Sequence, residues 1–263
     1  MGGFFDPNPR PETLFPNYGA GHLVILGIAL LLLAQMIWQK DRMVRWRENR
    51  RIMAGISIAI LIGEIQEYTM MIVHGYEPAY ELLPLHLCGM LALLLPILTL
   101  FERYDILKFI AGWSVAAGLI SFLNLGITHN SPAQLTFFHY CWKHYYLFLF
   151  PIFLFIADEY EFAYAEFLGS MAGLLTLSAL IFLANWIFGT NYMYIGPENE
   201  MEVPFLPDAW LRWPVIYASF IGVGLVLFHG IYGGFALAQW RRRRRAASAS
   251  TIRPADGERD TAG

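Results

Sequence analysis

The stretch Leu83-Pro84-Leu85-His86-Leu87-Cys88-Gly89-Met90 opens an apolar run that ends near Phe101. Pro84 suits the first turn of a helix, where a missing N–H does no harm. A run of this length and apolarity reads as a membrane crossing, because roughly 20 mostly apolar residues span the hydrocarbon. His86 and Cys88 at its mouth are then out of the ordinary, since hydrocarbon tolerates ionisable groups only where they are buried or in use. The two are two positions apart, so they project to different faces of the helix.

Working outward, six further runs read the same way. The seven candidates are 22–39, 52–73, 83–101, 106–125, 137–157, 162–188 and 213–238. Composition agrees: the chain is 57% hydrophobic and 15% charged, where a soluble domain is nearer a quarter charged. The expected fold is therefore an all-α, polytopic membrane helix bundle of seven transmembrane helices. Six crossings with one re-entrant segment is the alternative. The expected domains are an external segment 1–21, a seven-helix domain 22–239 and a disordered basic cytoplasmic tail 240–263.

Cations orient the chain. Lys40, Arg42, Arg45, Arg47, Arg50 and Arg51 follow the first run, Arg103 and Lys108 follow the third, and Arg241, Arg242, Arg243, Arg244 and Arg245 follow the seventh. With seven crossings these lie on one side, and the other side keeps only Arg10 and Arg212. Positive residues stay cytoplasmic, which puts the N-terminus outside and the C-terminus inside. The basic loop and tail suit anionic lipid head groups better than nucleic acid. The expected location is a cell membrane, crossed several times, with no cofactor and no metal.

Polar residues inside the runs agree in depth. His22, Glu67, Cys88, Asn124, His139, His144 and Asn185 fall in the outer half, with Glu64 near the middle. Agreement in depth across several helices suggests one shared cavity open to the outer leaflet. Glu64 and Glu67 are three apart and share a helical face. They read either as glue between helices or as orienting or proton-handling groups for a nearby histidine. Lys143 reads as snorkelling to the interface. The small residues of the fourth run, Ser121 among them, read as packing. The long loop 189–212 reads as a functional segment or lid.

The run Leu83 to Cys88, the aromatic segment ending at His144, Asn191-Tyr192-Met193 and Trp213-Pro214 together resemble the YwaF-like bacterial integral membrane proteins, related to the animal transmembrane protein 164. The resemblance covers roughly residues 20–238. It implies an acyltransferase or transacylase acting on membrane phospholipids, with Cys88 and His144 as the catalytic pair. His22 and Glu64 match the family's residue types, whereas His86 and Tyr145 depart from it. The implied chemistry has His144 deprotonate the thiol and an acyl-cysteine form. Glu64 or Glu67 would orient the imidazole, Asn124, Asn185 or Asn191 would donate to the oxyanion, and His86 and His139 would line the cavity. Two rival expectations stand beside it: a small-solute transporter or channel, and a non-catalytic protein with a Cys88–Cys141 disulfide.

Overall fold

A computed structural model describes residues 4–5, 15–74, 83–125, 132–158, 161, 163–196, 208–210 and 215–252. Among them all regular structure is helical. The helices are α1 (Ala20–Trp38), α2 (Lys40–Glu48), α3 (Arg50–Val73), α4 (Leu87–Leu100), α5 (Tyr104–Leu123), α6 (Leu135–Ala157), α7 (Tyr164–Phe188) and α8 (Val215–Ile252), with one-turn helices Tyr192–Tyr194 and Asp208–Trp210 between the last two. Arg10, Trp213-Pro214, Arg212 and most of the segment 1–21 lie outside the described residues.

All seven apolar runs form helices. Six are long and apolar enough to cross a membrane; α4, with 14 residues, is shorter. The exposed faces of the outer helices are apolar, with Leu31 71%, Val73 74% and Val226 77% exposed. A helix satisfies its own backbone, so such a face can meet lipid with side chains alone. The protein is a multi-pass integral membrane protein in contact with membrane lipid.

Side-chain contacts sort the helix ends. At one end Arg47 pairs with Asp158 at 2.8 Å, Arg50 with Glu102 at 3.0 Å, Lys108 with Glu166 at 2.9 Å and Arg243 with Glu161 at 2.7 Å. These tie together α2, the start of α3, the end of α4, the start of α5, the end of α6, the start of α7 and the far part of α8. At the other end Asn17 donates to Asn124 at 2.9 Å, the Tyr18 hydroxyl donates to the Leu123 carbonyl at 2.6 Å, and the Met193 N–H donates to His86 Nδ1 at 3.2 Å. Short α4 thus runs between the two groups of contacts, in line with the six longer helices. Exposed ion pairs contribute little stability; their value here is positional.

Two expectations need correction. The basic segment after the first run is the helix α2 rather than a loop, followed by Asn49, whose side chain accepts from the Arg51 and Ile52 N–H groups to cap α3. No break falls at residue 240 either: α8 continues to Ile252, carrying Arg241 to Arg245 in helix. Ala and Arg are strong helix formers, and Arg243 is held by Glu161. Residues 253–263 lie outside the described residues.

Helices α5 and α6 are the most buried. Their approach depends on Gly118, where a Cβ would come within 2.8 Å of the Phe148 backbone nitrogen. The buried Ser114 hydroxyl donates to the Leu147 carbonyl at 2.6 Å across the same contact. This pair forms the fixed wall of the site below.

Candidate functional site

A cavity of about 960 Å³ lies among α3, α4, α5, α6, α7 and α8. That is at the upper end of the size range of small-molecule sites. Toward the end away from the ion pairs its wall carries Glu67, His86, Cys88, Ser121, Lys143 and His144; deeper, it carries Ala116, Ala117, Leu174, Ile221 and Phe228. The polar part of the wall lies toward one end of the bundle, and the rest of the chamber is lined by apolar side chains.

Cys88 is the second residue of α4. The first bonded amide of that helix is Met90 N–H, which donates to the His86 carbonyl at 3.0 Å. The amides of Leu87, Cys88 and Gly89 are therefore ones the helix does not use, and no side chain caps them. A helix start favours negative charge nearby, whether on a thiolate or on an oxyanion. The Cys88 thiol lies 3.6 Å from the Ser121 hydroxyl. Both cysteines are free thiols, and they line different cavities, Cys88 the main one and Cys141 a second of about 440 Å³ on the outer side of the α3–α6 contact.

His144 is buried, and its Nδ1 lies 2.7 Å from the Tyr140 carbonyl oxygen. A carbonyl only accepts, so Nδ1 carries the hydrogen and Nε2 keeps its lone pair. That is the tautomer a base requires. The Tyr140 ring packs against His144 in a tilted arrangement, with centroids 4.0 Å apart and planes at 46°, and its hydroxyl donates to the Ser121 carbonyl at 3.1 Å. Cys88, Ser121, Tyr140 and His144 thus form a continuous line of contacts across α4, α5 and α6.

The expected site residues divide. Cys88, His144, Glu67, His86 and Asn124 line the main cavity; Glu64, His22, His139, Asn185 and Asn191 do not. His22 is fully buried, accepts from the Tyr18 N–H at 2.8 Å and donates to the Phe122 carbonyl at 2.6 Å, fastening α1 to α5. Asn185, also fully buried, donates to the Tyr192 carbonyl at 2.8 Å and accepts from the Thr190 hydroxyl at 2.8 Å and the Tyr192 N–H at 2.9 Å. Its carboxamide is spent on shaping the loop. Asn191 accepts from the Gly196 N–H at 2.9 Å and also serves that loop. The amides at the start of α4 are better placed than either for an oxyanion at Cys88. The loop in turn covers the cavity through Met193 and Tyr194.

The glutamates do not orient His144; the Tyr140 backbone does. Lys143 does not snorkel: it is buried and donates to Glu67 at 2.6 Å, with Glu64 at 3.2 Å. His139 faces the same carboxylates. Among the described residues Glu64, Glu67 and His139 are a group whose ligand atoms lie within 4.8 Å of one another, close enough to be considered for a metal. The Lys143 ammonium already occupies that charge position.

Sequence reading missed Ser121 and Tyr140. Tyr140 precedes His144 by four residues, one helical turn, and that spacing was the available signal. Ser121 gave none, because a serine in a row of small residues looks like packing. The Asn191-Tyr192-Met193 element of the resemblance is the turn packed on His86, whose ring lies 5.3 Å from that of Tyr192.

No curated protein and no solved structure matches the chain. The sequence profile of the TMEM164 family matches residues 17–232, which takes in α1 to α7 and α8 as far as Tyr232, with Cys88 and His144 inside it. By that match the chain belongs to the TMEM164 family.

Proposed function

We propose that this protein transfers fatty-acyl chains between phospholipids, using Cys88 as nucleophile and His144 as general base and acid. One observation carries the reading: a free thiol and a base-ready imidazole share the wall of one cavity whose deeper part is apolar.

His144 Nε2 takes the thiol proton, and the thiolate attacks the ester carbonyl of a bound phospholipid. The oxyanion forms beside the free amides at the start of α4. When the C–O bond breaks, the lysolipid oxygen leaves with the proton held on His144, and the acyl chain remains on Cys88 as a thioester. An acceptor hydroxyl then gives its proton to His144 and attacks the thioester; the sulfur leaves and recovers that proton. Ser121 donates to the thiolate, and Tyr140 holds the imidazole in register.

By the cation rule the ion-paired end is cytoplasmic, so the reaction takes place in the outer leaflet. We assign the protein to the inner membrane of a bacterium, with α2 and the arginines of α8 resting on anionic head groups.

The test is lipidomics on cells expressing wild type, Cys88→Ala, Cys141→Ala and His144→Ala at matched levels. Acyl-chain changes seen with wild type and Cys141→Ala should vanish with Cys88→Ala and fall roughly 100-fold or more with His144→Ala. Four identical profiles would reject the assignment.

A further inference from the structure

Between α3 and α6 lies a buried group of four charges that the acyl-transfer scheme does not use. Glu64 is 1% exposed and Glu67 17%, counted on side chains; Lys143 is 11% and His139 9%. Lys143 Nζ stands 3.2 Å from Glu64 and 2.6 Å from Glu67. His139 Nε2 stands 3.3 Å from a Glu64 oxygen and Nδ1 3.1 Å from a Glu67 oxygen. The two histidine contacts are at ion-pair distance without the alignment of a hydrogen bond.

Both ring nitrogens thus oppose carboxylate oxygens, which only accept. A neutral imidazole has one N–H and one lone pair. In that form one of the two contacts would hold an unprotonated ring nitrogen, which carries partial negative charge, beside an anionic oxygen in a low-dielectric wall. Charge counting says the same. Two carboxylates and one ammonium leave a net negative charge, and unpaired charge inside a membrane protein is costly. One further positive charge closes the sum. A divalent ion would overshoot while Lys143 remains in place.

We infer that the Glu64–Glu67–His139–Lys143 cluster is a proton-binding site, occupied at neutral pH, with His139 held as an imidazolium. The other titratable groups around it are Tyr68 of α3, His86 ahead of α4, Cys88 of α4, Tyr140 and His144 of α6, Tyr194 of the loop and Tyr217 of α8, on the main cavity with Lys143, and Cys141 and Tyr145 of α6, on the second cavity with His139. Among the described residues no other carboxylate or ammonium lines either cavity. The bound proton therefore makes neutral the stretch of wall that carries α6, and with it His144, on α3. His139 acts here as a positioning residue, and the inference does not depend on acyl transfer.

The experiment uses the full chain in nanodiscs at pH 7. Nitrogen-15 NMR of labelled histidines should show one imidazole with both ring nitrogens protonated, absent from the Glu64→Gln/His139→Gln double variant. Thermal unfolding supplies the second readout. His139→Gln strands a carboxylate and should lower the Tm by roughly 10 °C; adding Glu64→Gln should recover most of that loss. A singly protonated His139 in wild type would overturn the proposal. So would Glu64→Gln shifting the Tm equally with and without His139. One equivalent of a divalent metal copurifying with wild type and lost in Glu64→Gln would also overturn it.

Discussion

Tyr140 makes the candidate site intelligible at the level of single residues. Its carbonyl sets the His144 tautomer and its hydroxyl reaches the residue that touches Cys88. Ser121 is then the thiol's own partner. Ser121→Ala should slow alkylation of Cys88 by iodoacetamide at neutral pH roughly 2- to 10-fold, the worth of one hydrogen bond, and leave alkylation of Cys141 unchanged. An equal rate at Cys88 would remove Ser121 from the scheme. Cys88 and His144 stand out in the chain as ionisable groups in apolar runs, but their pairing rests on the family resemblance and not on those runs. The use of Glu64 and Glu67 was not legible: spacing tells which face of α3 they occupy, but not which helix meets that face. Lys143 illustrates the point. A lysine near a span end reads as snorkelling until a pair of carboxylates is found opposite it.

At the level of elements, hydropathy found every long apolar helix among the described residues and the shorter α4, since hydrocarbon leaves a chain few ways to satisfy its backbone. It did not find α2, whose charged sequence carries no apolar signal, nor the continuation of α8 through its arginines, since charge ends an apolar run without ending a helix. The α5–α6 contact gives a test of packing. Gly118→Ala would drive a methyl into the Phe148 backbone, and overpacking of this kind costs about 1–3 kcal/mol. Thermal unfolding should show the loss. Gly27→Ala, where a Cβ meets nothing within 4 Å, should leave the unfolding temperature as it is.

For the whole molecule, the basic end and the cavity end should lie on opposite sides of the bilayer. In a Cys88→Ala/Cys141→Ala background, a membrane-impermeant maleimide should label Ala133→Cys on intact cells. It should label Arg45→Cys and Ser248→Cys only after permeabilisation. Labelling of all three on intact cells would refute that arrangement. The brevity of α4 has a consequence on this scale. Its 14 residues rise about 21 Å, against roughly 30 Å of hydrocarbon. The helix falls about two turns short of that thickness; its first turn carries the thiol, and beside it the turn at Met193 and Tyr194 lines the same cavity. The cavity thus owes its mouth to an omission: a fourth helix continued past its first turn would occupy the space now open beside the sulfur, and the bundle would stand without a vestibule.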